Sequence, residues 1–213
     1  MSKAFDNAYR TIREGIISGV YPQGSHLTAQ QLAELTGLSR TPVREAMRRL
    51  DAEGLISLIP NRGAFVSRWT REEIEQIYEL RVMLEAFAAQ TAAERANPEQ
   101  VEELRAIADR MTAALQSPEI DYEGITEINA EFHRAVLEAC GNARLRELLG
   151  SLTEMPLILS TFRNYSRAQL ERSAAQHVEL VEAISLRDGA LAHAVMTAHI
   201  RTARQTLVRQ ATP

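Results

Sequence analysis

Leu38-Ser39-Arg40-Thr41-Pro42-Val43-Arg44-Glu45-Ala46-Met47-Arg48-Arg49-Leu50 is the stretch whose periodicity decides the fold. At about 100° per residue, Val43, Ala46, Met47 and Leu50 fall at i, i+3, i+4 and i+7, a single apolar stripe. Arg40, Arg44 and Arg48 recur every fourth residue on a different face. The helix opens at one of two caps. Thr41 would place Pro42 at the favoured first helical position, and Ser39 is the earlier option. Gly54 closes it.

Working outward, residues 4–18 carry Ala8, Tyr9, Ile12, Ile16 and Ile17 at helical spacing. A short second helix follows Thr28, carries Leu32, Ala33 and Leu35, and stops at Gly37. Beyond Gly54, Leu55–Ile59 and Ala64–Ser67 are two β-prone runs around Pro60-Asn61-Arg62-Gly63, the pattern of a hairpin. The order helix, helix, turn, helix, hairpin is a winged helix-turn-helix over residues 1–68. Strand signals then vanish. Amphipathic stretches at 71–96, 99–116, 121–140, 143–163 (kinked or split by Pro156), 167–187 and 188–210 predict an all-α second domain, 71–213. The expected fold is mainly α: a winged head and an antiparallel bundle of six or seven helices.

Composition narrows the function. With 45% hydrophobic and 24% charged residues the chain is neither disordered nor fibrous. No apolar run reaches membrane-spanning length, no secretory leader is visible, and Cys140 has no partner for a disulfide, so a cytoplasmic protein without a membrane partner is expected. Cys140, next to Gly141, reads as a small buried hydrophobe. The net charge of −4 conceals an asymmetry. Residues 1–68 hold nine basic and six acidic side chains, net +3, which leaves −7 on the remainder. A basic head on an acidic body suits a module for a polyanion joined to a module for something else.

The arginine row can be a solvated face or a base-reading face. Like charges at i, i+4 cost an isolated helix about 0.2–0.5 kcal/mol each, so three in succession need a reason. Guanidiniums on the second helix of a helix-turn-helix can fork onto guanine edges and pair with phosphates. In the second domain, Asn129 and His133 share a helical face, and His177 and His199 sit among apolar residues on the last two stretches. Such histidines are either hydrogen-bonded core residues or ligands of one divalent metal, and Asn would offer a carbonyl oxygen without charge. His193, about 240° round the helix from His199, should face away, and His26 should be exposed. Arg81 can pair with Glu85 at i+4 or clamp a ligand carboxylate.

Leu38 to Ala46, with Leu50, Glu53-Gly54-Leu55 and Asn61-Arg62-Gly63-Ala64-Phe65-Val66, resembles the DNA-binding domain of the GntR superfamily of bacterial transcription regulators. The resemblance implies that Arg40 and Arg44 read bases, that Ser39 and Thr41 lie near phosphates, and that Gly63 at the wing tip enters the minor groove; Arg62 beside it is expected to bind DNA as well. Arg48 continues the same face. Leu80-Arg81 with Glu85, Phe132-His133 before Gly141-Asn142, His177 before Asp188, and Met196 with His199-Ile200 resemble the FCD ligand-binding domain of the FadR-like branch. That implies a metal held by an Asp and three His, here His133, His177 and His199, with Asn129 at the acid's position. The metal would be zinc, nickel or manganese.

The function expected is a homodimeric regulator on an inverted-repeat operator, its affinity modulated by a small carboxylate effector bound with the metal. A metal-responsive regulator without organic effector is the nearer alternative. A metal-dependent hydrolase lacks a His-Glu-x-x-His or a nucleophile elbow.

Overall fold

Four helices begin on the same reciprocal device. Thr28, Thr70, Asn97 and Ser166 each accept from the backbone N–H three residues on, while Gln31, Glu73, Gln100 and Gln169 reach back to the capping residue's own N–H. Each capping box satisfies two donors that a helix start leaves orphaned. The computed structural model describes residues 3–17, 19–60, 62–68, 70–152 and 161–209. It divides into two compact units, one running to Trp69 and one starting at Thr70.

In the first unit α1 (Lys3–Ile17), α2 (Ala29–Thr36) and α3 (Arg40–Ala52) enclose one apolar core with three strands, β1 (His26–Leu27), β2 (Ile56–Ile59) and β3 (Gly63–Val66). Ala8 and Ile12 come from α1, Leu32 and Ala33 from α2, and Val43, Ala46, Met47 and Leu50 from α3. Leu35, counted with the apolar residues of α2 from its sequence, is instead exposed. α3 starts at Ser39, not Thr41, which puts Pro42 at the third helical position rather than the first. Pro tolerates that place because N–H groups of the first turn have no intrahelical acceptor. Ser39 caps by backbone conformation only, its hydroxyl making no capping bond.

The hairpin is larger than its sequence suggested. The sheet order is β1-β3-β2, antiparallel throughout, so His26 pairs with Phe65 and Leu27 with Ala64 across an added edge strand. On the other side Ile56 to Ile59 pair with Val66 to Gly63.

The second unit is all-helical. Its described helices are α4 (Arg71–Arg95), α5 (Pro98–Ala114), α6 (Tyr122–Cys140), α7 (Ala143–Leu152), α8 (Arg167–Ser185) and α9 (Gly189–Val208), with residues 161–163 also helical. α4 is the central element: it packs chiefly on α9, then on α6 and α8, while α5 closes over α6 and α8. Tyr78, Phe132, Leu104, Met111 and Leu180 are fully buried there, as is Cys140. Asn97-Pro98 and Gly141-Asn142 interrupt the helices where expected, Gly141 in the left-handed region at φ 69°. The kink expected at Pro156 lies outside the described residues.

Gly37 makes the turn between α2 and α3 at φ 68°, and a Cβ there would meet nothing within 4 Å. Gly37→Ala should therefore cost about 1–2 kcal/mol through backbone strain alone. Faster hydrogen exchange at the α3 amides of the intact chain is the expected sign. Unchanged exchange would show that the turn relaxes without penalty.

Candidate functional site

Two places concentrate chemistry that the folding of the chain does not use up. The first is the outer face of α3. Burying Val43, Ala46, Met47 and Leu50 turns Arg40, Arg44 and Arg48 outward, and all three are exposed. None has a carboxylate partner among the described residues, whereas Arg49, one step off the row, is tied to Glu53 at 2.6 Å. Glu53 also accepts a bond of 2.7 Å from the Tyr9 hydroxyl, so Arg49 belongs to the internal structure of the unit. Arg44 and Arg48 line a groove of about 780 Å³ together with Arg62 and Gly63 of the hairpin and His26 of β1. Ser39, Arg40 and Thr41 are exposed at the start of α3 but outside that lining. Gly63 stands at φ 86°, a conformation that side chains rarely adopt.

The second place is inside the helical unit. α6 supplies Asn129 and His133 one turn apart, α8 supplies His177, and α9 supplies His199. One ring nitrogen from each histidine lies within 4.8 Å of the others. His199 and His177 are 4.8 Å apart between centroids, and the His177 ring stacks on Phe132 at 4.1 Å. His199 Nδ1 donates to Gln176 Oε1 at 3.3 Å, which leaves Nε2 for another partner. Asn129 is buried beside them, 3% exposed. Neither Asn129 Oδ1 nor either nitrogen of His177 has a hydrogen-bond partner among the described residues. Buried polar atoms of this kind are expensive, and their convergence fits a bound cation. His193 is exposed on the far side of α9, as its spacing required.

Arg81 does make the ion pair with Glu85, Nε to Oε1 at 2.7 Å, both side chains buried. Sequence reasoning missed the other half of the contact. Glu85 Oε2 lies 2.5 Å from His133 Nδ1, so one carboxylate ties α4 to the histidine cluster. The i+4 spacing pointed to Arg81, but nothing local signals a contact between residues 48 positions apart. Burial pushes the Glu85 carboxyl up, but the Arg81 guanidinium and the His133 ring outweigh it and hold the group well below the usual carboxylate range. The Arg81 guanidinium also rests 4.8 Å from the Tyr78 ring centroid. Arg81, Asn129, His133 and His199 line a cavity of only about 20 Å³, closed by Phe162 and Tyr165. Burial first, and the neighbouring imidazoles second, hold both inner histidines neutral: His199 is pushed down to about 3, and His177 also lies well below the ordinary value. Neutral imidazole is the ligand form.

Residues 76–202 match the family model of the FCD domain, and residues 5–66 match that of the bacterial regulatory proteins, gntR family. An uncharacterized HTH-type transcriptional regulator, YdhC of Bacillus subtilis, is 28% identical over 147 residues, 69% of this chain and 65% of that protein. The galactonate operon transcriptional repressor of Escherichia coli is 29% identical over 207 residues, covering 86% of this chain and 88% of its own. Among solved structures, E. coli McbR/YncC superposes over 99% of both chains with a TM-score of 0.71 at 22% identity, a likeness of fold.

The neutral histidines set an acid limit on the metal-free helical unit. Unfolded, His177 and His199 protonate near about 6.5, but folded they resist protonation to much lower pH. Protons therefore favour the unfolded chain below about 6.5, and stability falls steadily as the pH drops from there toward the folded value. Urea midpoints of metal-free protein at neutral and mildly acidic pH should fall accordingly, and His199→Gln should flatten the decline. A midpoint independent of pH over that range would contradict the burial argument.

Proposed function

The chain belongs to the GntR family of bacterial regulatory proteins and carries an FCD domain, a DNA-binding transcriptional regulator and not an enzyme; from that premise we propose which residues do its work. Arg40, Arg44 and Arg48 face the major groove, Ser39 and Thr41 hold phosphates, and Arg62 with Gly63 carries the wing into the minor groove. The observation behind this is the row of exposed arginines with no internal partner beside a groove that the wing completes. Two heads reading an inverted repeat gain affinity through linkage, so the working form is a two-fold homodimer. The exposed apolar stripe Leu80, Met83 and Phe87 on α4 supports a partner surface on the helical domain, residues 71–213.

Within that domain, His133, His177 and His199, with Asn129 Oδ1 as fourth donor, would hold a divalent cation: zinc, nickel or manganese. A cation there supplies positive charge for an anionic effector. Glu85 orients His133 by holding Nδ1, as carboxylates behind metal-ligating histidines do. Arg81 is placed to meet an effector carboxylate at the edge of the same cavity. That galactonate, a carboxylate, names the operon of a relative supports an organic acid as the effector class.

One observation favours the nearer alternative, a regulator that answers to metal alone. A cavity of about 20 Å³ has room for one water or one ion. An organic acid enters only if Phe162 and Tyr165 shift outward.

Arg44→Ala should cost about 1–3 kcal/mol on the operator and relax the preference at one base pair. Equal losses on operator and random duplex, measured by fluorescence anisotropy at fixed salt, would put base reading on another face. The metal is tested separately. After mild chelation and reloading, wild type should retain zinc, nickel or manganese, His177→Ala should retain none, and Asn129→Asp should bind more tightly through its added charge. Uptake of none of the three by wild type would remove the cation from this reading.

A further inference from the structure

We propose that His26 positions Arg62 on the DNA, acting as a tether that fixes the reach of the wing from outside the hairpin. The inference rests on the wing's role in DNA binding given above.

The hairpin by itself holds Arg62 poorly. β2 and β3 contribute four residues each, and an isolated two-stranded hairpin is marginal in water. The Arg62 N–H closes the turn onto Ile59 O at 3.0 Å, and the strand ladder ends at the pair Ile59 and Gly63. The ladder does not use the Arg62 carbonyl among the described residues. His26 takes it: Nε2 lies 2.5 Å from Arg62 O and, facing a carbonyl, donates.

Three further features agree. In β1 Leu27 turns into the core and His26 turns outward, as strand alternation requires. The imidazole then lies 4.9 Å from the Phe65 ring, its register partner, and the Arg62 guanidinium carbon is 6.0 Å from that same ring centroid. Phe65 is thus a shared platform for the tether and for the residue it holds. The glycine at 63 fits as well. A Cβ there would stand 2.7 Å from His26 Nε2 and 3.0 Å from Leu27 O, so residue 63 is kept bare by the approach of His26 as well as by its own φ. Arg side chains carry much rotamer entropy, and a fixed backbone limits where the guanidinium can search.

The probe is a duplex selected by the full-length wild-type protein from a random-sequence pool, with binding read by anisotropy. His26→Ala should weaken binding about fivefold to tenfold, the effect of one lost hydrogen bond. In an Arg62→Ala background the same change should alter affinity by less than about twofold, because contacts that act through one another are not additive. His26→Gln, which keeps a donor, should recover most of the affinity, whereas His26→Phe, which keeps only the ring, should bind like His26→Ala. A merely structural role would give equal losses in both backgrounds, and that result overturns the proposal. Wild-type affinity in His26→Ala or His26→Phe overturns it too. An Arg62→Ala protein that binds like wild type would overturn the reading of Arg62 itself, and the tether with it.

Discussion

A carboxylate with no water around it must be held by positive charge or by donors, and Glu85 is held from both sides. Arg81 approaches one oxygen and His133 the other, from different helices. Moving Arg81 away would leave a buried charge uncompensated, a penalty of several kcal/mol in real proteins, and moving His133 away would leave one buried oxygen without this partner. The pair therefore fixes how α6 turns against α4. It also fixes which nitrogen of His133 points inward, since Nδ1 is taken. Everything in the inner cluster follows from that orientation. One nitrogen from each of His133, His177 and His199 lies within 4.8 Å of the others, and Asn129, one turn back on α6, lines a cavity with His133 and His199.

The head solves a different problem, because one helix has to serve two surroundings. Four apolar residues of α3 spend themselves on the core, which leaves the arginine row no choice of direction. Its neighbours divide accordingly. Arg49 is drawn into Glu53 and Tyr9, while Arg40, Arg44 and Arg48 have no acidic partner among the described residues. A row of unneutralised cations is a small local cost to the helix and a source of affinity for a polyanion.

Where a property depended on periodicity or on a cap, the amino-acid sequence made it legible. The stripe and row of α3, the stops at Gly37, Asn97-Pro98 and Gly141, and the opposite facing of His193 and His199 all come from residues close together in the chain. So did the choice of His133, His177 and His199, helped by the resemblance to FCD domains. Other properties come from residues far apart. Two residues of β1 are too few to show alternation, and their pairing depends on β3 partners 37 and 39 positions later. The Glu85–His133 contact joins two helices through the core. The choice of Ser39 over Thr41 as cap turned on a competition that local preferences leave nearly balanced. The size of the inner cavity is a packing outcome with no sequence signature at all.

That small cavity has a kinetic meaning. Its walls are side chains almost wholly withdrawn from solvent, and its free space is about that of one water. Phe162 and Tyr165, both nearly buried, line that space, so among the described residues a ligand larger than a water or an ion passes only when these rings move. For such a ligand, exchange through Phe162 and Tyr165 is set by how often the bundle breathes there, an event governed by local unfolding free energy rather than by the concentration outside. On the reading proposed above, in which occupancy of this space modulates operator affinity, the response carries a delay set by the protein's own core. On that same reading brief fluctuations are averaged out, and only a lasting change in supply is written into the occupancy of the site.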